Sequence, residues 1–260
     1  MKAVAGLLLA VAAGAAEAEE PPICADRPAK GNAVCTVPAG KIQIETGAID
    51  WTLTKDSGVR TEMTLVGSSF VKLGLSDRSD IEIGITPYER MTMSEGGSHD
   101  SVAGFGDTTV RYKQRLIAEG AKVEAALIPF IKVPTAKHNL GNGEWEGGLA
   151  VPIGFNLGGD VMLTLGPELD LLADDDGSGH HVGVVNLVNL GVPVTDKLNF
   201  AAELWSNVNF DPARTQKQAS ADAALAYAVS THVQADVGAN FGLNHDTPDV
   251  ELYGGLSVRF

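Results

Sequence analysis

The chain has 260 residues, a net charge of −14, 44% hydrophobic residues, 20% charged residues and 30 glycines. So acidic a chain argues against a nucleic-acid partner, and no stretch is uninterruptedly apolar for the about 20 residues that a membrane helix needs. Beyond position 18 the chain keeps about 240 residues, enough for one barrel domain.

Met1-Lys2 is a basic start, Ala3 to Ala16 form an uncharged Ala/Leu-rich run, and Ala16-Glu17-Ala18 is a small-x-small cleavage site. Residues 1–18 are therefore predicted to be an export signal. Its removal takes one charge of each sign, Lys2 and Glu17, and leaves the balance unchanged. Residues 19–39 are predicted to be a periplasmic segment and carry both cysteines, Cys24 and Cys35. In an exported protein such a close pair reads as one disulfide, free thiols being the alternative. The segment has no His to complete a zinc site, and the residues before Cys24 do not suit a lipid anchor.

From residue 40 to residue 260 the chain alternates strand-like stretches with turns. Val233, Ala235, Val237, Ala239, Phe241 and Leu243 form one apolar face, opposed by Gln234, Asp236, Gly238, Asn240 and Gly242. Period-two alternation is the signal of a strand, and an apolar face opposite a small and polar one suits a wall between lipid and water. The same pattern predicts strands at 40–53, 59–74, 79–92, 105–117, 123–135, 145–157, 161–173, 180–194, 198–210, 217–229, 233–243 and 250–260. The predicted fold is all-β, an antiparallel transmembrane β-barrel of about 12 strands, an even number as such barrels have. A β-sandwich also alternates but favours shorter strands.

Connections alternate in length. Short ones at 75–78, 118–122, 158–160, 195–197 and 230–232 are separated by mostly longer ones at 93–104, 136–144, 174–179, 211–216 and 244–249, with 54–58 as the short exception. Short periplasmic turns and longer outer loops make this pattern, which puts both chain ends in the periplasm. Two loops carry residues that could do chemistry. His99-Asp100-Ser101 has a His-x-Ser spacing resembling outer-membrane phospholipases, but nucleophilic catalysis needs a base within reach and a third group to orient it. Asp174-Asp175-Asp176-Gly177-Ser178-Gly179 begins like a calcium loop, but its twelfth position is Val185 and no helices flank it. No catalytic residue, cofactor or metal is expected.

With the apolar face outward, parity turns Glu82, Arg90, Asp107, Arg111, Lys113, Arg115, Glu124 and Lys132 inward from the third to fifth strands. Glu168, Asp170, Glu203, Asp222, Asp236, Glu251 and Arg259 turn inward from the seventh to twelfth. The fourth strand then presents a ladder of three cations opposite an acidic wall on strands nine to eleven, a field that would orient solutes in a passage. Arg90, Arg111, Lys113, Arg115, Lys132, Glu168, Asp170, Glu203, Asp222 and Asp236 are the expected pore lining. Small inward residues (Gly84, Ala126, Gly154, Gly166, Ala224, Ala226, Gly238, Gly242) leave room; a lumen filled by mutual pairing of the charges is the alternative. Trp51 and Trp145 suit interfacial belts, and Trp205 has inward parity.

The last strand alternates Val250, Leu252, Gly254, Leu256 and Val258 with polar or small residues and ends on Phe260. It resembles the terminal signal by which barrel-assembly machinery recognises its substrates. Cys24-Ala25-Asp26-Arg27-Pro28, Pro38-Ala39-Gly40, the run Ile42 to Gly47, Phe105-Gly106-Asp107, Pro129 and Pro134 resemble the outer-membrane transporter family named for the MetA pathway of phenol degradation. The resemblance implies a Gram-negative outer-membrane barrel, partnered by lipid, that passes small solutes, with aromatic compounds as candidates. A closed structural barrel and an outer-membrane lipid hydrolase are the alternatives.

Overall fold

The computed structural model describes residues 21–260, and the expected export signal lies outside the described residues. Among the described residues there is no helix, and every strand joins one antiparallel sheet closed on itself. Twelve strands cross the wall. They are β1 (Ile42–Asp56), β2 (Val59–Val66 with Ser68–Ser76), β3 (Ser79–Ile85 with Tyr88–Glu95) and β4 (Ser98–Gly104 with Thr108–Arg115). Next come β5 (Val123–Val133), β6 (Glu146–Ala150 with Ile153–Gly158), β7 (Val161–Leu165 with Glu168–Ala173) and β8 (His180–Pro193). The last four are β9 (Leu198–Asn209), β10 (Gln216–Ser230), β11 (Val233–Gly242) and β12 (Val250–Arg259). β12 closes on β1 from Gln43↔Arg259 to Leu53↔Val250, so no sheet edge is left unpaired there, as a backbone facing lipid requires.

Four of the five two-part strands break for local reasons. Pro87, Pro152 and Pro167 lack the N–H that a ladder needs and sit at the breaks of β3, β6 and β7. β2 breaks at Gly67, whose φ of 72° lies outside the extended region. Two irregularities also change which residues face inward. In β1 the register shifts between Gly47 and Ile49, so Gln43 and Glu45 point into the barrel and are followed by Asp50 instead of Ile49. In β3 the alternation restarts after Thr86-Pro87, and Glu89, not Arg90, shares the face of Asp107.

Two expected loops are strands. The connection at 54–58 shrinks to Ser57-Gly58, both with positive φ, because β1 and β2 stay in register out to Asp56↔Val59. Likewise 93–104 is not an open loop but a hairpin, Glu95↔Ser98, turned by Gly96 and Gly97 at φ 57° and 89°. Paired positive φ angles match the right-handed twist of the flanking strands, and glycine adopts them without steric cost.

The outer face is apolar. Leu169, Leu204, Val237 and Leu252 are 57%, 60%, 55% and 47% exposed, and each takes its place in an alternation whose other members face inward. An exposed apolar belt around a closed sheet is a surface matched to lipid. Inside, several small residues do not leave the space their size suggests. The ring of Tyr253 lies on Gly238, that of Phe70 on Gly84, and the Leu187 side chain on Gly166.

Residues 21–41 fill much of what remains. They enter beside the turn at Thr231, where Ile23 N donates to the Thr231 carbonyl at 2.9 Å, rise along the lumen and return to β1. Residues 19–39 were expected to form a periplasmic segment. In its described part this segment instead lies within the barrel, and the Cys24–Cys35 disulfide ties its two limbs.

Gly238→Val should drive a side chain into Tyr253 and lower stability by about 1–3 kcal/mol, read as an earlier heat-induced shift from folded to unfolded mobility on a denaturing gel. Tyr253→Ala in the same chain should recover part of the loss.

Candidate functional site

The lumen is built by the inward parity of each strand, and its charges form two facing groups. On one side Lys72 of β2, Lys113 and Arg111 of β4, Glu45 of β1 and Glu82 of β3 come together. Lys72 lies 2.6 Å from Glu45 and 3.5 Å from Glu82, and Lys113 lies 3.5 Å from Glu82. Both lysines are about 1% exposed. On the other side stand Glu203 (β9), Asp222 (β10) and Asp236 (β11), all buried. Buried ions need partners, because the lost hydration is not otherwise replaced.

The segment supplies those partners with matching sign. Asp26 turns to the basic side, taking Lys72 Nζ at 2.5 Å, Lys113 Nζ at 2.8 Å and the Ala33 backbone N–H at 2.8 Å. Arg27, the next residue, turns the other way and donates from Nη2 to Asp236 at 2.9 Å. Lys30 donates to Ser220 at 2.9 Å, sits 3.7 Å from Asp222 and lies 4.6 Å over the Trp205 ring. Glu203 accepts the backbone N–H groups of Lys30 and Gly31 at 3.1 and 3.3 Å. Burial alone would raise the Asp26 carboxyl, but Lys113 and Lys72 outweigh it and hold that carboxyl well below the usual range.

Of the expected lining, Lys113, Glu203, Asp222 and Asp236 therefore face the lumen and are covered by the segment. Arg115 is spent at the short-turn end on Glu119 (2.5 Å) and the Asp77 carbonyl (2.6 Å). Lys132 pairs with Glu146 at 2.8 Å and Asp107 at 3.3 Å near the long loops. Arg111 donates to Asn32 Oδ1 at 3.0 Å and lies 4.0 Å over the Phe70 ring. Arg90 is exposed and stands apart from these groups, because the break at Thr86-Pro87 reverses the parity that pointed it inward.

Three larger cavities border the segment. One of about 240 Å³ lies towards the long loops and is lined by Asn32, Arg111, Lys132, Phe130, Glu168 and Asp170 among others. A second of about 220 Å³ lies between the segment and β7–β11, and a third of about 1020 Å³ opens at the short-turn end by Pro22 and Ile23.

Asp26, Arg27, Lys30 and Asn32 were not among the expected site residues. Their signal was present in the sequence: a tight set of opposite charges within an otherwise small and apolar segment. Its meaning depended on walls more than 40 residues away.

The loop residues fall differently. His99 lies on the β3–β4 hairpin with Nδ1 2.8 Å from Ser94 Oγ, the residue across the ladder, and Ser101 pairs instead with Thr92. At the other loops Asp174, His181 and Asp211 gather, with His181 Nδ1 2.8 Å from Asp174 and 3.5 Å from Asp211. Backbone N–H groups of Asp175, Ala213 and Arg214 hold the Asp211 carboxyl below its usual range. Asp176 instead accepts from the Ser178 N–H at 2.8 Å, so the alternating calcium-type ligand set is not assembled.

The family model described as "Putative MetA-pathway of phenol degradation" matches residues 25–260. Among solved structures, an outer-membrane channel from Pseudomonas putida F1 is 15% identical, with 87% of this chain and 98% of that chain covered at a TM-score of 0.71. The NanC porin is 10% identical, covering 84% and 98%, at 0.53. The translocator domain of the autotransporter NalP from Neisseria meningitidis is 15% identical, covering 86% and 90%, at 0.50. At these identities the likeness is one of fold. No curated protein matches the chain.

Asp26→Asn should leave Lys72 and Lys113 short of an anion and cost about 3–5 kcal/mol, measured by urea unfolding in detergent; trypsin should then cut after Lys30 in otherwise folded barrels. Because the Asp26 carboxyl is held down, its contribution should be complete at neutral pH and fade only as pH falls below the ordinary carboxylate range, so the Asn variant should lose this acid dependence.

Proposed function

This chain belongs to the MetA-pathway-of-phenol-degradation family, and from that membership and its lumen we propose that it is an outer-membrane channel for passive passage of small molecules. The observation that carries the reading is that cavities persist alongside the inserted segment, so the lumen is narrowed without being uniformly filled. The family's name favours small aromatic compounds among the solutes. The short turns and both chain ends face the periplasm, and the longer loops face outward. Residues 1–18 act as the export signal, and the terminal Phe260 guides assembly.

The inserted segment favours a second reading, a closed structural barrel in which pairing across the lumen is permanent. A lipid hydrolase gains no support from the arrangement of His99, whose partner is Ser94.

Liposomes carrying the full-length folded protein should swell faster than empty ones in solutions of small sugars and phenols. If no solute in the series enters faster, the closed structural barrel replaces the channel.

A further inference from the structure

The three cavities beside the segment are continuous in their linings. Those at the short-turn mouth and beside β7–β11 share Asn199, Ala226 and Gln234. The one beside β7–β11 and the one towards the long loops share Asn32. The three therefore follow one another along one side of the segment, with Asn32 standing between the last two.

We infer that solutes move along this side of the segment, that the Asn32–Arg111 contact is the gate between the two halves, and that the route selects uncharged molecules with hydrogen-bonding groups. This rests on the channel reading above. The wall of the middle cavity is made of Thr164, Asn189, Gly191, Asn199, Ala201 and Ala226, without a charged side chain. Asp26 and Arg27 also border it, but their charged groups are committed to Lys72, Lys113 and Asp236. A charged solute would give up hydration there without meeting an opposite charge free to replace it. Amide and hydroxyl groups, in contrast, can exchange hydrogen bonds with water, a polyol or a phenolic hydroxyl. At the junction the Asn32 side chain is held by Arg111 Nη1 at 3.0 Å, so a passing solute has to displace that bond.

The test uses full-length protein in liposomes, with single cysteines introduced beside the intact Cys24–Cys35 disulfide. Thr164→Cys and Ala226→Cys, each treated with a bulky methanethiosulfonate, should lose about tenfold in swelling rate, equivalent to about 1.4 kcal/mol in the barrier. Ser98→Cys on the outer hairpin, treated alike, should be unchanged. Asn32→Ala should raise the rate. A neutral polyol and phenol, run separately, should both outpace a sugar acid and a primary amine of similar size, and the faster of the two identifies the solute class. Unchanged swelling after modification at both Thr164→Cys and Ala226→Cys overturns the route, and equal rates for charged and neutral solutes overturn the selectivity. Should the unmodified protein admit nothing, the channel reading itself falls, an outcome distinct from either.

Discussion

Everything inside this barrel depends on the carboxylate of Asp26, held between Lys72 and Lys113. A sheet closed against lipid must turn its polar residues inward, and twelve strands do not enclose enough water to hydrate them all independently. Two buried lysines on either side of β3 need a third anion besides Glu45 and Glu82, and the segment brings one. Arg27 comes immediately after and answers Asp236 on the opposite side, so a single dipeptide fixes the segment's orientation across the lumen. Lys30 and the backbone N–H groups beside it complete the match to Glu203 and Asp222. Each ion here would be costly alone; together they satisfy one another, and the disulfide keeps the two limbs in place while they do so.

Much of the fold was legible because lipid imposes a simple rule on each strand. Alternation located all twelve strands, and the residues of the acidic wall, Glu203, Asp222 and Asp236, do face inward. The rule fails where the backbone slips. A one-residue bulge after Gly47 exchanges the two faces of β1, and Thr86-Pro87 does so in β3, which is why Arg90 was assigned to the wrong side. The hairpin through Glu95–Ser98 was misread because its Gly96-Gly97 turn comes after polar residues that also suit a loop.

The candidate site was harder to foresee than the fold. The opposed charge on the walls could be derived from parity, but what lies between them could not, since it depends on contacts as distant in sequence as the 209 residues between Arg27 and Asp236. A field predicted to act on solutes acts first on the chain's own segment. Small inward residues misled in the same way: Gly84 and Gly238 accommodate Phe70 and Tyr253, so space that composition offers is taken by rings from neighbouring strands. Midway along the lumen, what is left for a solute is the uncharged side, along β7 to β11, and selectivity there arises from amides and hydroxyls more than from the cation ladder of β4.

The claim on which this account turns is that opposite charges seat the segment across the lumen. A double-mutant cycle of Arg27→Gln and Asp236→Asn, read as unfolding free energy in detergent, tests it most directly. The account predicts strong coupling, with the double variant losing less than the sum of the single losses by about 0.5–3 kcal/mol. Strictly additive losses would contradict it, for the two residues would then not be partners in the folded protein.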